Sequence, residues 1–246
     1  MNKAAAWALG AAGLIVLAGC DLGGRPKTGA PVSPVLEAAL QAIGGRETWQ
    51  NVEEISTVAV VTVYDAGGTG HVNRQAQEID LAAGQITATG QTPAGRWRAS
   101  ASLEGSGQVV GPLHGGDEGL QKLAISALAM TLHRAAGPLN FVFGPEEPGD
   151  PSPARIAGVD LIRIGVRAAD RQAVAYYFHP DTKMLRFVTC GGDRAGAEGT
   201  VTEYTYMKLP NGMAFPESIR VVRIGENALI GPQRVLEVDF SRVSIR

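Results

Sequence analysis

From Ile55 onward the apolar residues recur at every second position, in short runs broken at regular intervals by glycine and proline. This spacing constrains the fold more than any other feature of the chain. A period of two sends alternate side chains to opposite faces of a strand. The first series of candidate strands covers residues 55–64, 71–80, 85–91, 96–103 and 108–113. Gly67-Gly68, Gly84, Pro93 with Gly95, and Gly105 with Gly107 separate them. In 96–103, Trp97, Ala99, Ala101 and Leu103 share one face, while Arg96, Arg98, Ser100 and Ser102 share the other. A second series covers 155–165, 172–179, 183–190, 200–209, 215–224 and 233–245, with a further short strand expected at 139–143 and an acidic, proline-rich loop at 145–153. Val174, Tyr176 and Phe178 fall on one face, as do Tyr204 and Tyr206. Asn211-Gly212 is a strong hairpin signal. In the last run Leu236, Val238 and Phe240 alternate with polar residues, but Val243 and Ile245 fall out of phase. That break predicts a bulge or twist near Arg242. The pattern as a whole predicts a mainly β protein built on an antiparallel sheet or barrel.

Three segments carry the helical period. Leu36, Leu40 and Ile43 lie at i, i+4 and i+7, with Ser33 as a candidate N-cap, Pro34 in the first turn and Gly44-Gly45 as the stop. Residues 46–52 suit a second short turn of helix with Trp49 facing inward. The third helix spans 118–136 and separates the two strand series. Asp117 can cap it, Glu118 suits the positive end of its dipole, and Gly137-Pro138 stops it. Leu120, Leu123, Ile125, Leu128, Met130 and Leu132 make it apolar nearly all round. Such a helix is buried on most sides. It is either a core helix crossing a curved sheet or a lid over an apolar cavity.

The chain has 246 residues, 45% of them hydrophobic and 19% charged, which excludes intrinsic disorder and a multi-span membrane protein. Its 22 basic and 24 acidic residues leave a net charge of −2, so nucleic acid is not an expected partner. Two cysteines are too few for a disulfide scaffold or a zinc ribbon. His71, His114, His133 and His179 show no metal-ligand spacing, and no metal or other cofactor is expected. Around Ser106 the nucleophile-elbow pattern lacks its first glycine, and no phosphate-binding or dinucleotide loop occurs. The pairs Glu53-Glu54 and Glu146-Glu147 are sequence neighbours; along a strand such neighbours point to opposite faces and do not form a catalytic dyad. Cys190 reads as a half-buried thiol at a strand end. No residue is nominated as catalytic, and the expectation is a protein that is not an enzyme.

The amino terminus indicates location. Lys3 precedes an uncharged stretch at 4–18, fifteen residues long, too short to span a bilayer and suited to an export signal. It ends in Leu17-Ala18-Gly19-Cys20, which resembles the lipobox of bacterial lipoproteins. That resemblance implies cleavage before Cys20 and a diacylglyceryl group on its sulfur, hence attachment to a membrane. A second acyl chain is what makes such attachment stable. The expected organisation is a lipoprotein signal peptide at 1–19, a lipidated Cys20 with a Gly- and Pro-rich tether to 33, and one globular domain at 34–246.

Three further stretches carry a resemblance to a family. They are 42–49 (AIGGRETW), 176–185 (YYFHPDTKML) and 209–212 with 215–219 (LPNG and FPESI), in that order around a central helix. Together they resemble the bacterial lipoprotein-sorting carrier and receptor superfamily, the LolA/LolB-like proteins. The resemblance implies a strongly curved antiparallel sheet forming an open half-barrel, with helices closing an apolar cavity for acyl chains. On that basis Trp97, Leu103, Tyr176, Phe178, Tyr204 and Tyr206 are the expected cavity-lining residues. Leu120, Leu123, Ala127 and Met130 are the expected lid residues. The expected ligands are lipids or the acyl chains of lipoproteins, at the periplasmic side of the bacterial envelope. The alternative is an envelope interaction or sensor lipoprotein, with an envelope protein as its partner and the same fold around a filled cavity.

Overall fold

A computed structural model describes residues 33–135, 148–167, 173–191, 199–224 and 230–246. The lipobox with Cys20, the strand expected at 139–143 and the first part of the 145–153 loop lie outside them.

The first meander comprises β1 (Glu54–Tyr64), β2 (Gly70–Asp80), β3 (Gln85–Thr92), β4 (Gly95–Ser102) and β5 (Gly107–Val110). The second comprises β6 (Ser152–Ile156), β7 (Val159–Arg167), β8 (Ala173–Phe178), β9 (Leu185–Gly191), β10 (Gly199–Lys208), β11 (Ala214–Ile224) and β12 (Ile230–Ile245). All twelve strands join one antiparallel sheet in the order β5-β4-β3-β2-β1-β12-β11-β10-β9-β8-β7-β6. The first strand therefore pairs with the last, and the two meanders fuse along that seam. β5 and β6 are left as edges, so the sheet stays an open half-barrel. The seam is tied at its end, where the Glu53 and Glu54 amides donate to the Arg246 carbonyl at 2.9 and 3.2 Å.

Alternation decides which face is inside. On β1 the side chains of Ile55, Thr57, Ala59, Val61 and Val63 are buried, and the residues between them are more exposed. Opposite them on β12, Leu236, Val238 and Phe240 are buried. The register between these strands shifts between Ser56 and Val58, and Arg242 adopts a φ of 52°. This is the bulge that the out-of-phase apolar residues predict. One extra residue flips the parity and brings Val243 and Ile245 back against the core. A second shift lies between Thr205 and Tyr206 on β10, where Tyr206 opposes Pro216. The irregularity admits a proline into a central strand.

Two strand expectations need correction. The single strand expected at 155–165 is a hairpin: β6 turns through Ala157 and Gly158, with φ of 50° and 81°, into β7. Alanine in a left-handed turn position carries no sequence signal, because the conformation disfavours residues with a Cβ. Pairing also reaches into the expected loop, since Ser152 and Pro153 oppose Arg163 and Ile162. Pro153 is tolerated because β6 is an edge strand.

Helix α1 (Pro34–Ala42) and helix α2 (Arg46–Gln50) pack Leu36, Leu40 and Trp49 into the core. The Trp49 indole N–H and the Ala214 amide both donate to the Ile43 carbonyl at 3.0 Å, which joins the helices to the start of β11. Ser33 stands at the N-cap position, but its hydroxyl makes no capping hydrogen bond; the proline at the first turn sets the start instead.

Candidate functional site: the space beneath the central helix

Helix α3 (Glu118–Ala135) lies across the inner face of the sheet, packed on β3, β4 and β5 with further contact to β1 and β11. A 3₁₀ turn, Leu113–Gly116, leads into it. There Leu113 is buried, and His114, Gly115 and Gly116 all take left-handed φ of 52°, 68° and 85°. Asp117 then caps the helix, its carboxylate accepting the Leu120 amide at 2.8 Å, as the sequence predicts.

Burial along α3 is uneven. Its C-terminal part, from Ala127 to His133, is buried on all sides, whereas Glu118, Gly119, Lys122 and Ser126 are exposed. The expectation of burial all round thus holds for the second half alone. The far end is pinned twice. The His133 Nε2–H donates to the Leu103 carbonyl at 2.8 Å, and the Arg134 guanidinium donates to Cys190 Sγ at 3.1 Å. Burial pushes the His133 imidazole below its ordinary value, so the neutral form is the one that fits there. Cys190 is half-buried at the end of β9.

Between α3 and the sheet lies a small cavity of about 10 Å³, walled by Val61, Val63, Asn73, Gln75, Trp97, Ala99, Leu113, Ala124, Ala127 and Leu128. That is room for about one water molecule. Trp97 and Ala127, both nominated from the sequence, are in this wall. Trp97 lies flat across Gly90, where an added Cβ would come within 2.5 Å of the indole ring, so glycine is required at that point. Leu103, Tyr176, Phe178 and Tyr204 are buried in the same continuous core but away from this wall, and Tyr206 is half-buried against it. Of the other lid candidates, Met130 is buried and Leu120 and Leu123 are half-buried. A larger open groove of about 570 Å³ lies mainly over the opposite face of the sheet, lined by Val58, Ala76 and Thr89 between Arg74 and Arg96.

The residues that alternation did not nominate are a polar row on the inner face of β2. The pairing of Ile55 with Ile79, Thr57 with Gln77, Ala59 with Gln75, Val61 with Asn73 and Val63 with His71 places all four polar side chains inward. At the rim, His71 meets the Asp65 carboxylate at 3.1 Å. That hydrogen bond, with the Thr69 and Gly67 amides, holds the Asp65 carboxyl below its usual range. Next to it Asn73 contacts His114 Nε2 at 3.1 Å, and the His71 and His114 rings meet edge-on at 5.7 Å. Burial and the neighbouring His71 lower the His114 pKa. Deeper in the row the hydrogen bonds stop. Gln75 is 6% exposed and its Nε2 has no partner; Gln77 is 1% exposed and neither amide atom has one. No group of three metal-ligating side chains occurs among the described residues.

No family model matches the chain, and no curated protein is significantly similar to it in sequence. Solved structures are similar in fold. A LolA-superfamily protein from Nitrosomonas europaea aligns with 89% of this chain and 94% of its own, at a TM-score of 0.51 and 10% identity. A DUF1329-family protein from Desulfovibrio piger covers 88% of this chain and 94% of its own, at a TM-score of 0.46 and 10% identity. Over most of both chains, then, this unclosed twelve-stranded sheet with a helix across its inner face is similar in fold to that LolA-superfamily protein: the chain carries an open half-barrel fold.

Proposed function

We propose that the protein is a lipid-binding module of the bacterial envelope, not an enzyme, which takes acyl chains between α3 and the inner face of the sheet. The chains belong to lipoproteins or to other lipids, and the lipobox would anchor the module to a membrane facing the periplasm through a diacylglyceryl group on Cys20. The observation that supports this most is the way α3 is mounted. Four of its nine buried positions are alanine, which contributes little apolar contact per residue, and three successive left-handed residues lead into it. A helix held this way is easier to lift than one seated on leucines. An acyl chain of about a dozen methylenes gains roughly 10 kcal/mol on leaving water, enough to compete with it.

A second reading has an observation of its own. The space under α3 has room for about one water molecule. A filled interior suits an envelope interaction or sensor lipoprotein that binds an envelope protein through its outer surface. Native mass spectrometry of the full chain purified from a bacterial envelope separates the two. Co-purified lipid of defined mass, or uptake of added acyl chains, is the result expected of a lipid-binding module. A bare protein mass with no uptake would overturn it in favour of the interaction protein.

A further inference from the structure

Resting on the lipid-binding reading, we propose that Gln75 and Gln77 form a carbonyl-recognition strip, so that the preferred ligand is an ester-linked diacyl lipid and not a plain hydrocarbon chain. The inner face around them is otherwise apolar: Ile55, Ile79, Ile86, Ala88 and Ala99 are all buried. Two glutamines at such positions cost stability unless something meets their amides. Yet the Gln75 amide nitrogen, on the wall of the cavity under α3, has no partner, and neither atom of the Gln77 amide has one. The unmet groups therefore point to a partner that arrives when α3 lifts.

The chemistry of that partner follows from the donors. Both glutamines offer N–H donors, which match a carbonyl oxygen. No cationic side chain is in the wall of the cavity under α3, so a phosphate or carboxylate has no counter-charge inside it; Arg74 and Arg96 line the open groove that Gln75 and Trp97 also border, but they stand on the exposed face of the sheet. Successive inward positions on a strand stand roughly 6.6 Å apart. That spacing is comparable to the reach between the two ester groups of a diacylglyceryl unit. In the bound state the Gln75 Nε2–H would donate to the first ester carbonyl and Gln77 Nε2–H to the second, while the alkyl chains replace α3 on Trp97, Val61 and Ala99.

The test compares two lipids that differ only in linkage. The full chain is titrated with didecanoyl phosphatidylcholine, which has two ester carbonyls, and with its didecyl ether analogue, which has none. Expected is about tenfold tighter binding of the diester, the equivalent of about 1.4 kcal/mol. The double variant Gln75→Leu/Gln77→Leu should erase the difference and raise the thermal midpoint, because it removes unmet amides from an apolar site. If the double variant does not fold, Gln75→Leu alone should shrink the preference. Equal binding of both lipids by the wild type overturns the strip and leaves the lipid-binding reading standing. Binding of neither lipid overturns that reading itself, and the strip with it. A leucine variant that retains the full diester preference, or melts earlier than the wild type, also overturns the strip.

Discussion

The inner faces of the two meanders are built differently. On β8 to β12 the core is made of large side chains: Tyr176, Phe178, Tyr204, Phe215 and Phe240 are buried, with the Phe215 and Phe240 rings edge-on at 5.3 Å. On β1 to β4 it mixes alanines, Ala59, Ala88, Ala99 and Ala101, with the mid-sized Ile55, Val61, Val63, Ile79 and Ile86, and it has one aromatic residue, Trp97, beside the polar row of β2. The aromatic side fills its own volume. The alanine-rich side is filled by a helix laid over it. A wall lined with its own bulky side chains cannot be emptied, whereas a wall with alanines covered by a separate element can. On the lipid-binding proposal the second meander would be the scaffold and the first would hold the exchangeable space.

The largest expected effect tests the scaffold half. Phe215→Ala removes a fully buried ring from a packed pair and should cost about 3–5 kcal/mol in urea unfolding. A loss under about 1 kcal/mol would mean that the aromatic side is looser than its burial implies. The covered half should respond differently. Ala127→Leu adds three carbons where the cavity admits about one water, an overpacking worth about 1–3 kcal/mol. That strain should appear as faster amide hydrogen exchange in 118–135, with β10 to β12 unchanged. Met130→Asp sets the same helix against a buried carboxyl group, so acyl-chain binding should be lost. A folded Met130→Asp protein that still binds acyl chains would remove α3 from the lipid site.

The comparison was only half visible in the sequence. The aromatic half alternates cleanly, so Val174, Tyr176 and Phe178 could be placed on one face, and they are buried together. On β2 alternation is uninformative, because its two candidate faces read His-Asn-Gln-Gln-Ile and Val-Arg-Ala-Glu-Asp, both mostly polar. Pairing of Ile79 with Ile55 turns the first set inward. Tertiary pairing decides here what local polarity leaves open. That is why Trp97 could be nominated for the cavity wall and Ala127 for the lid, while Asn73 and Gln75 were not nominated. The helix was legible in position and cap, but not in its uneven burial. The depth of an apolar helix depends on where its ends are tied, and the ties of His133 and Arg134 go to Leu103 and Cys190, remote in sequence.

Burial of two histidines should make the covered half the more acid-sensitive one. His114 before α3 and His133 near its end both have pKa values lowered chiefly by burial. His114 faces His71 and Asp117, and His133 faces Arg134 and Glu104. A lowered folded-state value means that the unfolded chain binds the proton more readily. The stability owed to the neutral imidazoles is therefore present above the ordinary histidine value of 6.5 and is lost as pH falls below it through the folded-state values. Between pH 7 and pH 5 the protection of α3 amides, corrected for the slowing of intrinsic exchange, should fall more than that of β10 to β12. An equal fall in both regions would show that the histidines do not govern how the helix is seated. His133→Gln keeps a donor for the Leu103 carbonyl without a titrating group, and it should flatten part of this dependence.

The smallest expected effect is also the most local. Asp117 accepts the Leu120 amide at the first turn of α3, where the helix is still half-exposed and contributes least to the core. Asp117→Ala removes that bond and a carboxylate placed at the positive end of the helix dipole, a loss of about 1 kcal/mol. Because the first turn lies on the rim of the covered half, the loss should fray 118–123 without loosening the buried segment 127–133. If α3 opens from this end, as its left-handed lead-in and exposed first turns suggest, fraying lowers the cost of opening, and lipid uptake should be faster in Asp117→Ala than in the wild type. Unchanged uptake with measurable fraying would place the opening at the His133 and Arg134 end instead. The two ends of one helix would then divide as the two halves of the sheet do, with one fixed and the other exchangeable.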